Sequence, residues 1–168
     1  QQAVVDALNF AYTEGCFMVA AAGNKDSYFF NENLSGNGTG NFPANHPSVM
    51  GIGNGEGNYL NPDDKLLTVN PSSFWGKHVD LYAPGTSIVS TFSNGSYSSQ
   101  SGTSMASPWV AGVAALMLDV NPCLSPDEIK GIPKLTSTKP NSQCGTPGEP
   151  PANAEMIRAL NRCRDLNK

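Results

Sequence analysis

Ser101-Gly102-Thr103-Ser104-Met105-Ala106-Ser107-Pro108 is the stretch on which the reading of this chain turns. It joins a short strand-like segment, 97–101, to a run of small and apolar residues, 105–120, with no charge before Asp119. Such a run predicts a helix about 24 Å long, apolar on all sides and so expected to be buried. Pro108 falls in the first turn of that helix, where its missing N–H costs nothing. A serine at a helix N-terminus faces unpaired N–H groups and the positive end of the helix dipole. That setting suits the developing oxyanion of acyl transfer, and Gly102 leaves room for a substrate backbone.

Working outward, residues 3–14 place Val4, Ala7, Leu8, Ala11 and Tyr12 at spacings of three and four, an amphipathic helix stopped by Gly15. Residues 16–22 form a continuous apolar run, short enough for a fully buried parallel strand, ending in Gly23-Asn24. Helix, turn and buried strand make half of an α/β unit. An α/β domain rarely opens this way, so the chain is expected to begin inside its domain. Further strands are expected at 49–53, 78–83, 87–91 and 97–101, with 54–75 mostly connection. Downstream, Ser125-Pro126-Asp127-Glu128 combines an N-cap, Pro at N1 and a capping-box Glu. Pro133 should stop that helix early. Residues 134–151 read as a connection and 154–163 as a terminal amphipathic helix.

Composition narrows the function classes. The 168 residues are 39% hydrophobic and 14% charged, with a formal charge of −4. With no Lys/Arg cluster, a nucleic-acid or anionic-membrane partner is not expected. No stretch approaches the ~18 to 20 uninterrupted apolar residues of a membrane span. Cys16, Cys123, Cys144 and Cys163 lack C-x-x-C spacing, so a zinc or redox motif is not indicated. Cys16 lies in the apolar run and is expected to be a buried free thiol. One disulfide is expected among the other three, and the spacing leaves the pairing open. Three N-x-S/T sequons, at Asn33, Asn37 and Asn94, are no more than so much Asn, Ser and Thr gives by chance.

The octapeptide resembles the nucleophile motif of the subtilisin-like serine proteases (subtilases, peptidase S8). So do Ala20-Ala21-Ala22-Gly23-Asn24, where that family places its oxyanion-hole asparagine, and Ala83-Pro84-Gly85 after a strand. Phe42-Pro43-Ala44 through Pro47-Ser48-Val49, and Asn153-Ala154, add further landmarks in the family's order. The resemblance is strong to about residue 132 and weaker beyond it.

This resemblance implies that residues 1–168 are the C-terminal portion of a single catalytic domain. The implied fold is α/β, part of a subtilisin-like three-layer arrangement with a mainly parallel sheet and a buried central helix starting at the nucleophile. Ser104 would be the nucleophile of a serine endopeptidase. The Asn24 side-chain amide and the Ser104 backbone N–H would be the oxyanion donors. Ala21, Ala22, Gly23, Lys25 and Gly102 would bind substrate, with Lys25 at the rim of the pocket for the residue before the scissile bond. In several subtilases backbone carbonyls and a strand aspartate hold a structural ion. The matching positions here are Ala44, His46, Pro47 and Val49 for carbonyls and Asp80 for the carboxylate, a donor set suited to Ca²⁺ or a monovalent cation. No cofactor is required for the chemistry itself.

The family's catalytic Asp and His precede the serine in sequence, and neither of their motifs occurs here. His46 and His78 match non-catalytic positions. The triad is therefore expected to close only with an upstream segment. Other expected partners are protein or peptide substrates and a propeptide or inhibitor. A secreted or secretory-pathway location follows from the family. Trp109 stands where bacterial subtilisins usually carry His, which implies altered packing beneath the site. The competing reading is a subtilase-derived binding or structural domain without catalysis. An α/β-hydrolase would need Gly-x-Ser-x-Gly followed by a histidine, and neither is present. Gly51-Ile52-Gly53-Asn54-Gly55-Glu56-Gly57 misses the spacing of a dinucleotide-binding loop.

Overall fold

The computed structural model describes residues 2–25, 41–57 and 68–137. Helix α1 (Gln2–Thr13) ends as its glycine predicts. Gly15 has φ +83°, and the N–H groups of Gly15 and Cys16 close on the carbonyls of Tyr12 and Ala11 at 3.0 and 2.9 Å. That pair of bonds is a Schellman stop. The helix has no fully buried residue; Val5, Leu8, Ala11 and Tyr12 are half-buried, while Val4 and Phe10 are exposed. Tyr12 hydrogen-bonds Asp127, whose carboxylate pushes the phenol pKa up.

Strand β1 (Met18–Ala21) follows and pairs in parallel with β2 (Val49–Glu56), Met18 opposite Val49 and Ala21 opposite Ile52. β2 is the central strand, buried along all but its last residue. On its other side it pairs in parallel with β4 (Leu81–Pro84). Near its C-terminal end it also pairs antiparallel with the two-residue β3 (Thr68–Val69). A hairpin, β5 (Ile88–Thr91) and β6 (Tyr97–Gln100), forms its own antiparallel sheet around a 3₁₀ turn at Ser93–Gly95.

The sheet structure is thus mixed, which corrects the expectation of a mainly parallel sheet. Two of the four described pairings are antiparallel. β3 lies in the stretch read as connection, because two residues carry no detectable period. The strand-like segments 87–91 and 97–101 pair with each other and not with the central sheet. β1, expected to be fully buried, is half-buried throughout, since only one of its edges is paired among the described residues. Cys16 is exposed, not buried, because the strand begins two residues after it.

Helix α2 (Thr103–Val120) lies against β1, β2 and β4. Ala106 and Val110 complete one apolar cluster with Met50, Ile52, Leu81 and Ala83. Val113, Ala114 and Met117 form a second with Leu124 and Ile129. Only that face is buried. Trp109 is 47% and Leu116 52% exposed, and Ala111, Gly112 and Ala115 are exposed as well. The expectation of an all-round buried helix is therefore corrected: composition reports how apolar a helix is, not how many neighbours cover it. By length and composition α2 could also cross a membrane, but its packed face belongs to the core beside the sheet.

Helix α3 (Pro126–Thr136) starts with the predicted capping box. The Ser125 hydroxyl accepts the Glu128 N–H at 3.3 Å, and the Glu128 carboxylate accepts the Ser125 N–H at 2.8 Å. Pro133 does not stop the helix but lies inside it and is buried, so its ring contributes apolar packing against the lost bond. The expected terminal helix at 154–163, Cys144 and Cys163 with the disulfide expected there, and Asn33, Asn37 and Asn153 lie outside the described residues.

Candidate active site

The three parallel strands point their C-terminal ends toward the start of α2, where an α/β sheet places its ligands. Two connections bring those ends together. At the base of the hairpin, the Gly102 N–H donates to the Gly85 carbonyl at 2.7 Å and the Ser87 N–H to Ser101 Oγ at 2.9 Å. This fixes the start of α2 beside the end of β4. At the end of β1, the Gly23 N–H donates to Thr103 Oγ1 at 3.1 Å, and the Thr103 N–H donates to Asn24 Oδ1 at 3.0 Å. Thr103 is fully buried.

The helix N-terminus explains what remains available. Gly102 is the N-cap and offers no side chain, so the first orphan N–H groups need partners from elsewhere. Asn24 Oδ1 takes that of Thr103. The N–H groups of Met105 and Ala106 close onto the Gly102 carbonyl. The Ser104 N–H has no hydrogen-bond partner among the described residues, and the same is true of Asn24 Nδ2. Because Asn24 Oδ1 is engaged, Nδ2 is the end of the amide left to donate. Ser104 itself is exposed.

Gly102 carries φ +148°, a backbone region that side chains rarely adopt. A Cβ there would stand 3.2 Å from Asn24 Nδ2 and 3.3 Å from Oδ1. The glycine thus lets the asparagine amide lie directly against the helix start. The helix begins two residues earlier than expected, so Pro108 is interior and not in the first turn. Its missing N–H leaves the Ser104 carbonyl without the usual i→i+4 bond.

Of the expected substrate-binding residues, Ala21 ends β1, Ala22 is fully buried, and the Ala22 N–H donates to the Ile52 carbonyl at 2.9 Å. One backbone edge of Gly23–Lys25 is occupied. The Phe74 N–H donates to the Gly23 carbonyl at 2.9 Å and the Lys25 N–H to the Ser72 carbonyl at 2.7 Å, with Asn24 bridging Ser73. Gly23, Asn24 and Lys25 are half-buried. Trp109 lies exposed on α2, not packed beneath the site. Neither histidine is hydrogen-bonded to Ser104 among the described residues. His46 Nδ1 accepts the Ser48 N–H at 3.3 Å, and His78 precedes β4. Sequence reasoning missed Thr103 as the residue tying β1 to α2. Its place immediately before the serine was the available signal.

Three of the expected cation ligands, Pro47, Val49 and Asp80, converge, but on a side chain, while the His46 carbonyl accepts the Val49 N–H at 3.0 Å. Lys130 Nζ lies 3.0 Å from the Val49 carbonyl, 3.3 Å from the Pro47 carbonyl and 3.0 Å from Asp80 Oδ2. Lys134 Nζ is 2.7 Å from Asp80 Oδ1, and Asp80 Oδ2 also accepts the Gly51 N–H at 3.0 Å. Ala44 is buried. A metal ion does not fit this set while the lysines hold it. Each pair of unit positive charges ~4 Å apart repels by about 4 kcal/mol at a surface-like dielectric of about 20.

A mixed α/β sheet, with a serine at the head of the helix packed on it and an asparagine amide against that head, defines a subtilisin-like three-layer hydrolase fold. The comparisons with known proteins agree: the subtilase family profile matches residues 1–152, and the chain belongs to that family of serine proteases. It is 38% identical to Subtilisin DY of Bacillus licheniformis over 83% of this chain and 45% of that protein. It is 36% identical to Subtilisin-like protease 10 of Arthroderma otae over 82% of this chain and 30% of that protein. Among solved structures, proteases from Pseudoalteromonas arctica match with a TM-score of 0.74 and 27% identity, over 97% of this chain and 47% of theirs. A cold-adapted subtilisin-like serine proteinase matches with a TM-score of 0.67 and 30% identity, over 92% and 51%. The chain therefore spans between 30% and 51% of the length of these relatives.

Proposed function

We propose that this chain is the nucleophile-bearing part of a serine endopeptidase that becomes active when an upstream segment supplies a histidine and an aspartate. In this reading residues 1–168 are the C-terminal portion of one catalytic domain. Ser104 Oγ attacks the carbonyl carbon of a peptide bond while the histidine takes its proton. Asn24 Nδ2 and the Ser104 N–H receive the oxyanion. The proton passes to the leaving amine, and water then hydrolyses the acyl-enzyme. Ala21, Ala22, Gly23, Lys25 and Gly102 line the substrate path, with protein or peptide as substrate and a secreted setting as in the family. The observation that carries this reading is the Asn24–Thr103 hydrogen bond, which leaves Asn24 Nδ2 and the Ser104 N–H as donors without a partner among the described residues.

A fluorophosphonate probe tests it. The protein expressed from its complete reading frame should be labelled at Ser104, and Ser104→Ala should abolish labelling. The isolated 168-residue chain should hardly react, because loss of the histidine costs about 10⁶ in kcat in subtilisin itself. Rapid labelling of the isolated chain, or labelling that survives Ser104→Ala, would overturn the proposal.

A further inference from the structure

We propose that the ammonium group of Lys130 serves as a built-in cation, standing where the carbonyls of Pro47 and Val49 and the carboxylate of Asp80 would otherwise hold a metal ion. An ammonium has three hydrogens and no acceptor. Lys130 Nζ donates to the carbonyls of Pro47 and Val49 at 3.3 and 3.0 Å and forms an ion pair with Asp80 Oδ2 at 3.0 Å. The ammonium is thus held by two carbonyl acceptors and one carboxylate charge, the same oxygens that would surround a bound cation.

The local fold delivers the group there. The capping box at Ser125 and Glu128 fixes the first turn of α3, and Ile129 is buried in the second apolar cluster. Lys130, the next residue, is thereby aimed at the segment leading into β2. Lys134 lies one turn further on the same face and takes the other oxygen of Asp80. Asp80 is held in turn by two bonds to Gly51: its Oδ2 accepts the Gly51 N–H, and its own N–H donates to the Gly51 carbonyl at 2.8 Å. One ammonium thus ties the 47–49 segment, the start of β4 and helix α3 together. A soluble ion is not needed for that link, and it cannot be removed by a chelator. The inference stands on these contacts and is independent of the catalytic reading.

The test compares the thermal response to cations of the parent protein, from its complete reading frame, with that of Lys130→Met. Melting is followed in KCl, in CaCl₂ and in choline chloride of equal ionic strength. Ions bound elsewhere affect both proteins equally, so the difference between them reads this site. Lys130→Met should gain a response to K⁺ or Ca²⁺ that the parent lacks. That gain is about 3–5 °C at 100 times the dissociation constant, for a domain of roughly 300 residues. Adding Asp80→Asn to Lys130→Met should erase the gain. Identical responses in parent and Lys130→Met would overturn the inference. Should Lys130→Met fail to fold, Asp80→Asn alone decides. A parent cation response unchanged by Asp80→Asn supports the lysine, and one diminished by it shows that a metal ion occupies the site.

Discussion

The Thr103 N–H donates to Asn24 Oδ1 at 3.0 Å, across 79 residues of sequence. One bond here serves two ends. It satisfies an orphan donor of α2 that the N-cap glycine cannot reach, and it orients the asparagine amide so that Nδ2 has no partner among the described residues. Because Thr103 Oγ1 also accepts the Gly23 N–H, the end of β1 and the start of α2 are held as one unit.

Asn24→Ala should lower kcat of the complete protein by about 10²- to 10³-fold with little change in KM, the magnitude known from subtilisin itself. Steady-state kinetics on a peptide substrate measure it. Equal loss in KM and kcat, or none in kcat, would remove Asn24 from the oxyanion site.

Gly102→Ala should destabilise the fold by about 1–3 kcal/mol, the cost of a side chain in a backbone region that only glycine adopts freely. It should also depress activity, since the new methyl lies 3.2–3.3 Å from both amide atoms of Asn24. Urea denaturation and turnover, measured on the same preparation, check both. Gly95→Ala is a useful control. Gly95 also has positive φ but nothing within 4 Å of its added Cβ, so it should lose stability without losing turnover.

Stability should fall as the medium is acidified below neutral pH. Burial holds the His78 imidazole below its ordinary 6.5, against a smaller upward pull from Asp80. Below 6.5 the unfolded chain therefore takes up a proton that the folded chain resists, and stability rises with pH across that window. The contribution is fully present above 6.5 and is lost as pH falls through the lower folded value. Glu128 adds a second, more acidic window. The Ser125 backbone and side-chain bonds depress its carboxyl below 4.5, so its contribution is lost as pH falls through its folded value. Urea midpoints from about pH 8 to about pH 5 should slope less steeply in His78→Asn than in the parent. Parallel slopes would show that another group carries the dependence.

The amino-acid sequence by itself determined the features that act within a few residues. The Schellman glycine after α1, the capping box of α3, the apolar runs of β1 and β2, and the small-residue helix beginning at the Ser104 motif all depend on local spacing and caps. The family, too, was legible from short motifs in order. Tertiary structure alone decided the rest. β3 is two residues long and exists only because β2 offers it an edge. Pro133 stays helical because its ring is buried, and Cys16 is exposed because its apolar run enters the sheet only at Met18. The outer face of α2 is open although its composition reads as core. Lys130 meets the Val49 carbonyl across 81 residues, and Thr103 meets Asn24 across 79. Helical period and capping act over one or two turns. Which strand ends and helix faces meet is set by sheet order and by the apolar area each pairing removes from water, and no local pattern encodes that.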